Sequence, residues 1–262
     1  MKKRILILMA CVSLLAVSAF SQVELSLFGQ FNLNLSYPTS GTANSSIVSQ
    51  FSNYYNEWQA FLDPVLQQQN DLGFGGRIAF NVTPTIGIEG TVEYIMAKTQ
   101  FSEEVVNNLE DLITSLGYSQ YLAINKAGGN ILRYYGNIVI NIPSPGGVTP
   151  YITVGLGMTH FKIEKATGPE VDYDIKPFLT KANFYYENVS ALTFNAGIGA
   201  KIFFSPTVGL RIDARMFYCK PKFTQKLDHT FFGITIFDDE TSYTQEGSHV
   251  DTSLNVGVFF KF

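Results

Sequence analysis

Two cysteines occur in 262 residues, and Cys11 lies in the opening apolar run, so the rest of the chain holds only Cys219. No internal disulfide is open to that chain even in an oxidising compartment, and backbone pairing and packing must hold the fold. Histidine is also scarce. His160, His229 and His249 stand far apart, without the spacing of a metal site or a catalytic motif. Basic residues number 18 against 22 acidic ones, and without Lys2, Lys3 and Arg4 the formal charge falls to about −7. That excludes the concentrated basic face a nucleic-acid partner requires. After Phe20 no apolar run is long enough for a membrane helix.

The first 21 residues read differently from the rest. Lys2-Lys3-Arg4 followed by the apolar run Ile5 to Phe20 is the pattern of a secretory signal peptide. Cleavage after Ser21, with Ala19 also small, leaves a single domain of residues 22–262. Leu8-Met9-Ala10-Cys11 imitates a lipoprotein box, but cleavage there would leave almost no hydrophobic core to the signal, and lipid attachment is not expected.

What the chain does have is alternation. Eight segments carry apolar residues at every second position: Val23 to Tyr37, Leu72 to Val82, Ile86 to Met96, Leu132 to Ile142, Val148 to about Phe161, Leu192 to Phe204, Val208 to Cys219 and Thr252 to Phe262. In the last, Leu254, Val256, Val258, Phe260 and Phe262 share one face. A strand with one greasy and one polar face fits the wall of a barrel in lipid, because successive side chains point to opposite sides. Connections alternate too: 83–85, 143–147 and 205–207 are short, whereas 38–71, 97–131, 162–191 and 220–251 are long. An outer-membrane barrel with short periplasmic turns and long external loops has that parity. Tyr37, Tyr94, Tyr134 and Tyr218 then fall at the outer rim and Phe80, Phe204 and Phe262 at the inner one, as two interfacial belts. The expected fold is all-β, an eight-stranded antiparallel up-and-down transmembrane barrel. A soluble barrel with a greasy interior is the competing fold, which alternation alone does not separate.

On the lipid reading, Arg77, Arg133, Lys201, Arg211, Arg215 and Lys261 face inward with Glu24, Glu89, Glu93, Asp213 and Asp251. So balanced a set predicts a lumen closed by ion pairs, since isolated buried charges are expensive. Inward Gly73, Gly75, Gly87, Gly155, Gly157, Gly197 and Gly199 make room for Phe28, Tyr135, Tyr151, Phe203, Phe217 and Phe259, the small-with-large filling of a narrow barrel.

Two long connections carry helical periodicity, one running Phe51, Tyr54, Tyr55, Trp58, Phe61 and the other from Ser102 to Gly117. Tyr54, Tyr55 and Trp58 are the candidate surface-recognition residues, although such stripes more commonly pack and order a loop. Asp238-Asp239-Glu240 lacks the ligand spacing of a calcium loop. No cofactor is expected. No convergent Ser/His/acid set is visible at the outer rim, so the chain reads as a non-enzyme; Ser190 and Thr230 are candidate partners of histidine only as common loop hydroxyls.

The run Pro150-Tyr151-Ile152-Thr153-Val154-Gly155-Leu156-Gly157, the Gly197-Ile198-Gly199 strand leading through Ser205-Pro206-Thr207 into Val208 to Arg215, and the terminal Phe262 resemble the small bacterial outer-membrane β-barrel family, the group around the transmembrane part of outer-membrane protein A. The closing strand resembles the signal that barrel-assembly machinery reads in that family. The resemblance implies an outer-membrane location, with outer-membrane lipid, lipopolysaccharide and the assembly machinery as partners. Its members include structural barrels, adhesins and narrow channels, so it implies a structural or surface-interactive role, with a porin-like channel or a lipid-processing enzyme as alternatives.

Overall fold

The computed structural model describes residues 22–36, 41–44, 67–68, 70–96, 99–100, 129–163, 166–167, 181–231, 234–237 and 242–262. Sixteen strands lie in them. In chain order they are β1 (Gln22–Ser36), β2 (Gly41–Asn44), β3 (Gln67–Gln68), β4 (Asp71–Asn81), β5 (Ile86–Ile95), β6 (Thr99–Gln100), β7 (Gly129–Asn141) and β8 (Val148–Ile163). There follow β9 (Ala166–Thr167), β10 (Lys181–Tyr186), β11 (Val189–Phe203), β12 (Val208–Cys219), β13 (Lys222–Phe231), β14 (Ile234–Phe237), β15 (Ser242–Glu246) and β16 (His249–Lys261).

Eight strands form a closed antiparallel barrel in the order β1-β16-β12-β11-β8-β7-β5-β4. Each wall strand pairs with the wall strands before and after it in the chain, and β1 closes the ring on β16. Phe262 N donates to Val23 O at 2.9 Å and Val23 N returns a bond to Phe262 O at 3.2 Å. Closure removes the sheet edge that lipid would not tolerate.

Side chains alternate as the sequence implies. Along β7 the odd positions from Ile131 to Asn141 are buried and the even ones from Leu132 to Ile140 exposed. Leu27, Phe74, Val154, Ile198 and Val256 are likewise exposed, while Asn32, Glu93, Arg133, Arg215 and Ser253 are fully enclosed. A polar interior under an apolar exterior rules out the soluble barrel, whose faces are the reverse.

Two of the three short turns share a device. In Thr83-Pro84-Thr85 the Thr83 hydroxyl accepts from Ile86 N at 2.9 Å, and in Ser205-Pro206-Thr207 the Ser205 hydroxyl accepts from Val208 N at 3.0 Å. Proline presets the turn while the preceding hydroxyl satisfies a strand-end donor. The third turn relies on Gly146 at φ +106°, a conformation that side chains disfavour. Tyr94, Tyr134 and Tyr218 stand at the long-loop end and Phe80, Phe204 and Phe262 at the other, as two belts; Tyr37 lies outside the described residues.

The long connections add strands that the sequence does not announce. A second sheet has the order β2-β15-β13-β10-β9, with β14 also on β13. This repeats the lateral order of the wall strands they adjoin in the chain: β1, β16, β12, β11 and β8. Only Glu187-Asn188, Lys220-Pro221 and Gly247-Ser248 separate three of those pairs, and Glu187 N donates to Thr224 O across one junction at 3.2 Å. β3 pairs with β6 separately. The expected loop helices near residues 51–64 and 102–117 lie outside the described residues, as does the signal segment.

Inward glycines are sites of close approach. A Cβ on Gly199 would meet Tyr151 Cζ and Oη at 2.5 Å and Asp213 Cβ at 2.6 Å, whereas one on outward Gly29 meets nothing within 4 Å. Gly199→Val is expected to destabilise the barrel by about 1–3 kcal/mol through overpacking. Gly29→Val should stay within about 0.5 kcal/mol of the native protein. Urea unfolding followed by heat-modifiable gel mobility checks both.

Candidate functional site: the ion-paired lumen

The eight charged residues expected to share the lumen all do so. Arg77, Glu89, Glu93, Arg133, Lys201, Arg211, Asp213 and Arg215 point inward with Glu24 and Asp251, none more than 4 % exposed. Five cations thus face five carboxylates.

They form two clusters. In the larger, Asp213 receives Arg77 Nη1 at 2.5 Å and Arg215 Nε at 2.8 Å. Glu89 takes Arg211 Nη1 at 2.6 Å and Arg215 Nη2 at 2.8 Å. Glu24 takes Lys201 Nζ at 2.6 Å and lies 3.5 Å from Arg211 Nη1. In the smaller, nearer the long loops, Arg133 reaches Asp251 at 2.7 Å and Glu93 at 3.4 Å. The larger cluster holds four cations and three carboxylates, the smaller one cation and two carboxylates. Neither balances alone.

Tyr135 joins them, its hydroxyl donating to Glu93 and accepting from Arg215 Nη1 at 3.3 Å. Tyr151 does similar work inside the larger cluster, accepting from Arg211 Nε at 2.6 Å and donating to Asp213 at 2.8 Å. Aromatic faces cover the guanidiniums as well. Arg77 lies 3.9 Å from the Phe28 ring centroid and Arg133 3.8 Å from that of Phe217. Each cation therefore meets carboxylate, phenol or π-face.

Sequence parity placed these residues inside but left their partners open, and it missed the bridging tyrosines, which it read as filler. It also missed the amides that complete the carboxylates: Asn137 Nδ2 donates to Glu89 and Asn255 Nδ2 to Asp213, both at 2.9 Å. Lys261 stays apart from the clusters, its ammonium 5.6 Å from the Phe203 ring. Gln30, Asn32 and Asn195 also face inward, buried, with side-chain amides that have no protein hydrogen-bond partner.

The structure adds detail to one histidine expectation and corrects another. His249 opens β16 at the long-loop end, but its side chain turns inward and is buried, its Nε2 3.1 Å from Asp251 and its ring against Phe161. The strand register also joins His160 to Ser190, so a Ser–His pair does assemble at the outer rim although their sequence positions did not suggest it. The side chains of His229 and Thr230, and the residues Tyr54, Tyr55, Trp58 and Asp238-Asp239-Glu240, lie outside what is described. Among the described residues no group of three His, Cys, Asp or Glu is placed to hold a metal ion. Leu254, Val256, Val258, Phe260 and Phe262 line the lipid side of the closing strand β16, each exposed.

A closed eight-stranded wall with apolar outside and charged inside has one natural home. The chain belongs to the outer membrane protein beta-barrel domain family. The family model matches residues 7–262, and the protein resides in the bacterial outer membrane. Among solved structures it is similar to the outer membrane protein OprG from Pseudomonas aeruginosa, at 9 % identity and a TM-score of 0.51 over 92 % of this chain and 95 % of that one. It is also similar to Neisserial surface protein A, at 10 % identity and a TM-score of 0.40 over 92 % and 97 %. A major outer membrane protein from Thermus thermophilus gives 10 % identity and a TM-score of 0.44 over 92 % and 99 %. Among curated proteins nothing matches the sequence. Members and neighbours of this barrel family differ in role, and the likeness to OprG bears on the fold alone.

If Tyr135 couples the clusters, Tyr135→Phe should lower unfolding stability by about 1–3 kcal/mol, the cost of leaving buried charged partners short of a hydrogen bond, while the ring contact to Phe217 survives. Equilibrium urea unfolding in detergent micelles measures this, and unchanged stability would refute the coupling.

Proposed function

We propose that this outer-membrane barrel is a closed anchor whose role is structural or surface-interactive and is carried by its long loops, with no catalysis in its lumen. The observation that carries this reading is the lumen itself: the buried cations and carboxylates cross it in contact with one another rather than lining an open bore. An eight-stranded barrel has room for side chains and little else. Support for the surface role comes from the second sheet, which continues five wall strands past the rim and gives the long connections an ordered frame. Tyr54, Tyr55 and Trp58 are the aromatic recognition residues of this proposal, on sequence grounds, for an external ligand or surface. Outer-membrane lipid and lipopolysaccharide surround the wall, and Leu254, Val256, Val258, Phe260 and Phe262 present the closing strand to the assembly machinery.

A second reading, a narrow channel for small solutes, is favoured by one observation. The unpartnered amides of Gln30, Asn32 and Asn195 are groups that buried water commonly satisfies, and hydrated amides beside the plug are what a thin polar path would use.

Single-channel recording of the refolded mature protein in planar bilayers separates the two. The native protein is expected to be silent, and the Arg211→Ala/Arg215→Ala variant to show conductance steps because Glu89 and Asp213 lose cations that cross the bore. Steady conductance from the native protein would overturn the closed-anchor reading in favour of the channel.

A further inference from the structure

Three side chains from neighbouring strands meet on the outside of the wall, at its long-loop end. The register sets Ser190 of β11 opposite His160 of β8, and Tyr134 of β7 opposite Met158, two residues along the same face. Ser190 Oγ lies 2.6 Å from His160 Nδ1, and the Tyr134 hydroxyl 3.0 Å from His160 Nε2. The phenol and imidazole rings are 5.2 Å apart.

One proton arrangement uses both contacts productively. With Nε2–H donating to the Tyr134 oxygen, Nδ1 keeps its lone pair and accepts from the Ser190 hydroxyl. Nucleophile, base and orienting group then stand in one row. Their surroundings are graded. Exposed Leu156 and Leu192 lie toward the membrane, Leu132 stands directly opposite His160, and exposed Lys162 lies two residues beyond His160 on the same face, toward the loops. An amphiphile in the outer leaflet has the same order of parts: acyl chains, ester carbonyl, then headgroup.

We propose that Ser190 and His160 form an ester-cleaving site on the lipid-facing wall, and that its substrate class is an anionic acylated lipid of the outer leaflet. Its chains lie along Leu156 and Leu192, its ester carbonyl meets Ser190, and its headgroup meets the Lys162 ammonium. His160 Nδ1 takes the Ser190 hydroxyl proton as Oγ bonds to the carbonyl carbon. Collapse of the tetrahedral adduct breaks the ester C–O bond, and the departing alcohol takes that proton. Water then adds to the acyl-serine with His160 as base, and the fatty acid leaves as Oγ regains its proton. The sum is ester plus water to acid plus alcohol. Tyr134 is a positioning residue that fixes the imidazole tautomer and ring plane. This site lies outside the barrel and is independent of whether the lumen conducts.

The test uses the mature protein in vesicles of phosphatidylglycerol and phosphatidylethanolamine, treated with an alkyl fluorophosphonate and mapped by peptide mass spectrometry. A single adduct at Ser190 is expected, absent from Ser190→Ala and His160→Gln. Fatty-acid release from phosphatidylglycerol should fall about 100-fold or more in both variants. Tyr134→Phe should lower kcat about tenfold with KM unchanged, a split that mere loss of packing would not give. Heat-modifiable mobility reports that each variant is folded, and adduct mapping on the native protein stands even if one is not. No adduct, an adduct at another residue, or equal fatty-acid release from folded Ser190→Ala would overturn the proposal.

Discussion

Everything in this molecule depends on the ladder between β1 and β16. Lipid offers no partner to a backbone N–H or C=O, so a sheet survives there only if its first and last strands join. The register from Glu24 against Lys261 to Ser36 against Val250 carries that join, with one irregularity near the long-loop end. Once the ring closes on eight strands, the bore is too narrow to stay empty. The alternation that makes the exterior greasy leaves the interior to polar side chains. Ion pairing in the lumen follows from closure and strand number, and is not a separate invention.

Within that constraint the chain resolves its charges by sharing them. Glu89 lies between two arginines and Asp213 among three, while tyrosine hydroxyls and asparagine amides occupy the remaining oxygen positions. Sharing suits a bore in which Arg211 and Arg215 project from one strand and must meet carboxylates from β1, β5 and β12. Breaking a buried pair is far more costly than never having made it, so the network is rigid as a whole even though no single pair dominates it. The outer face carries a different chemistry, with apolar residues along the strands and polar groups reserved for the rim.

The wall was legible in the sequence because a period of two reports directly on which face meets lipid. All eight strands and the inward position of Arg77, Glu89 and Arg215 followed from it. Strand ends were less legible: β7, β11 and β16 start earlier than the alternation indicated, at Gly129, Val189 and His249, where contrast between the faces fades beyond the apolar band. Partnerships were not legible at all. That Ser190 adjoins His160, or that Tyr135 links Arg215 to Glu93, depends on the stagger between strands, which residue order alone does not contain. The strands beyond the rim carry too little apolar pattern to announce themselves.

The sequence separations within the plug have a consequence for assembly. Arg77 and Asp213 are 136 residues apart, Arg133 and Asp251 118, and Arg211 and Glu24 187. A hairpin formed early therefore carries orphan charge on its polar face, and it sheds that charge only when remote strands arrive. Such non-local contacts form late, after the chain has been drawn together. A half-closed or misregistered ring therefore keeps unmatched ions on its inner face, a cost that only the correctly joined cylinder sheds.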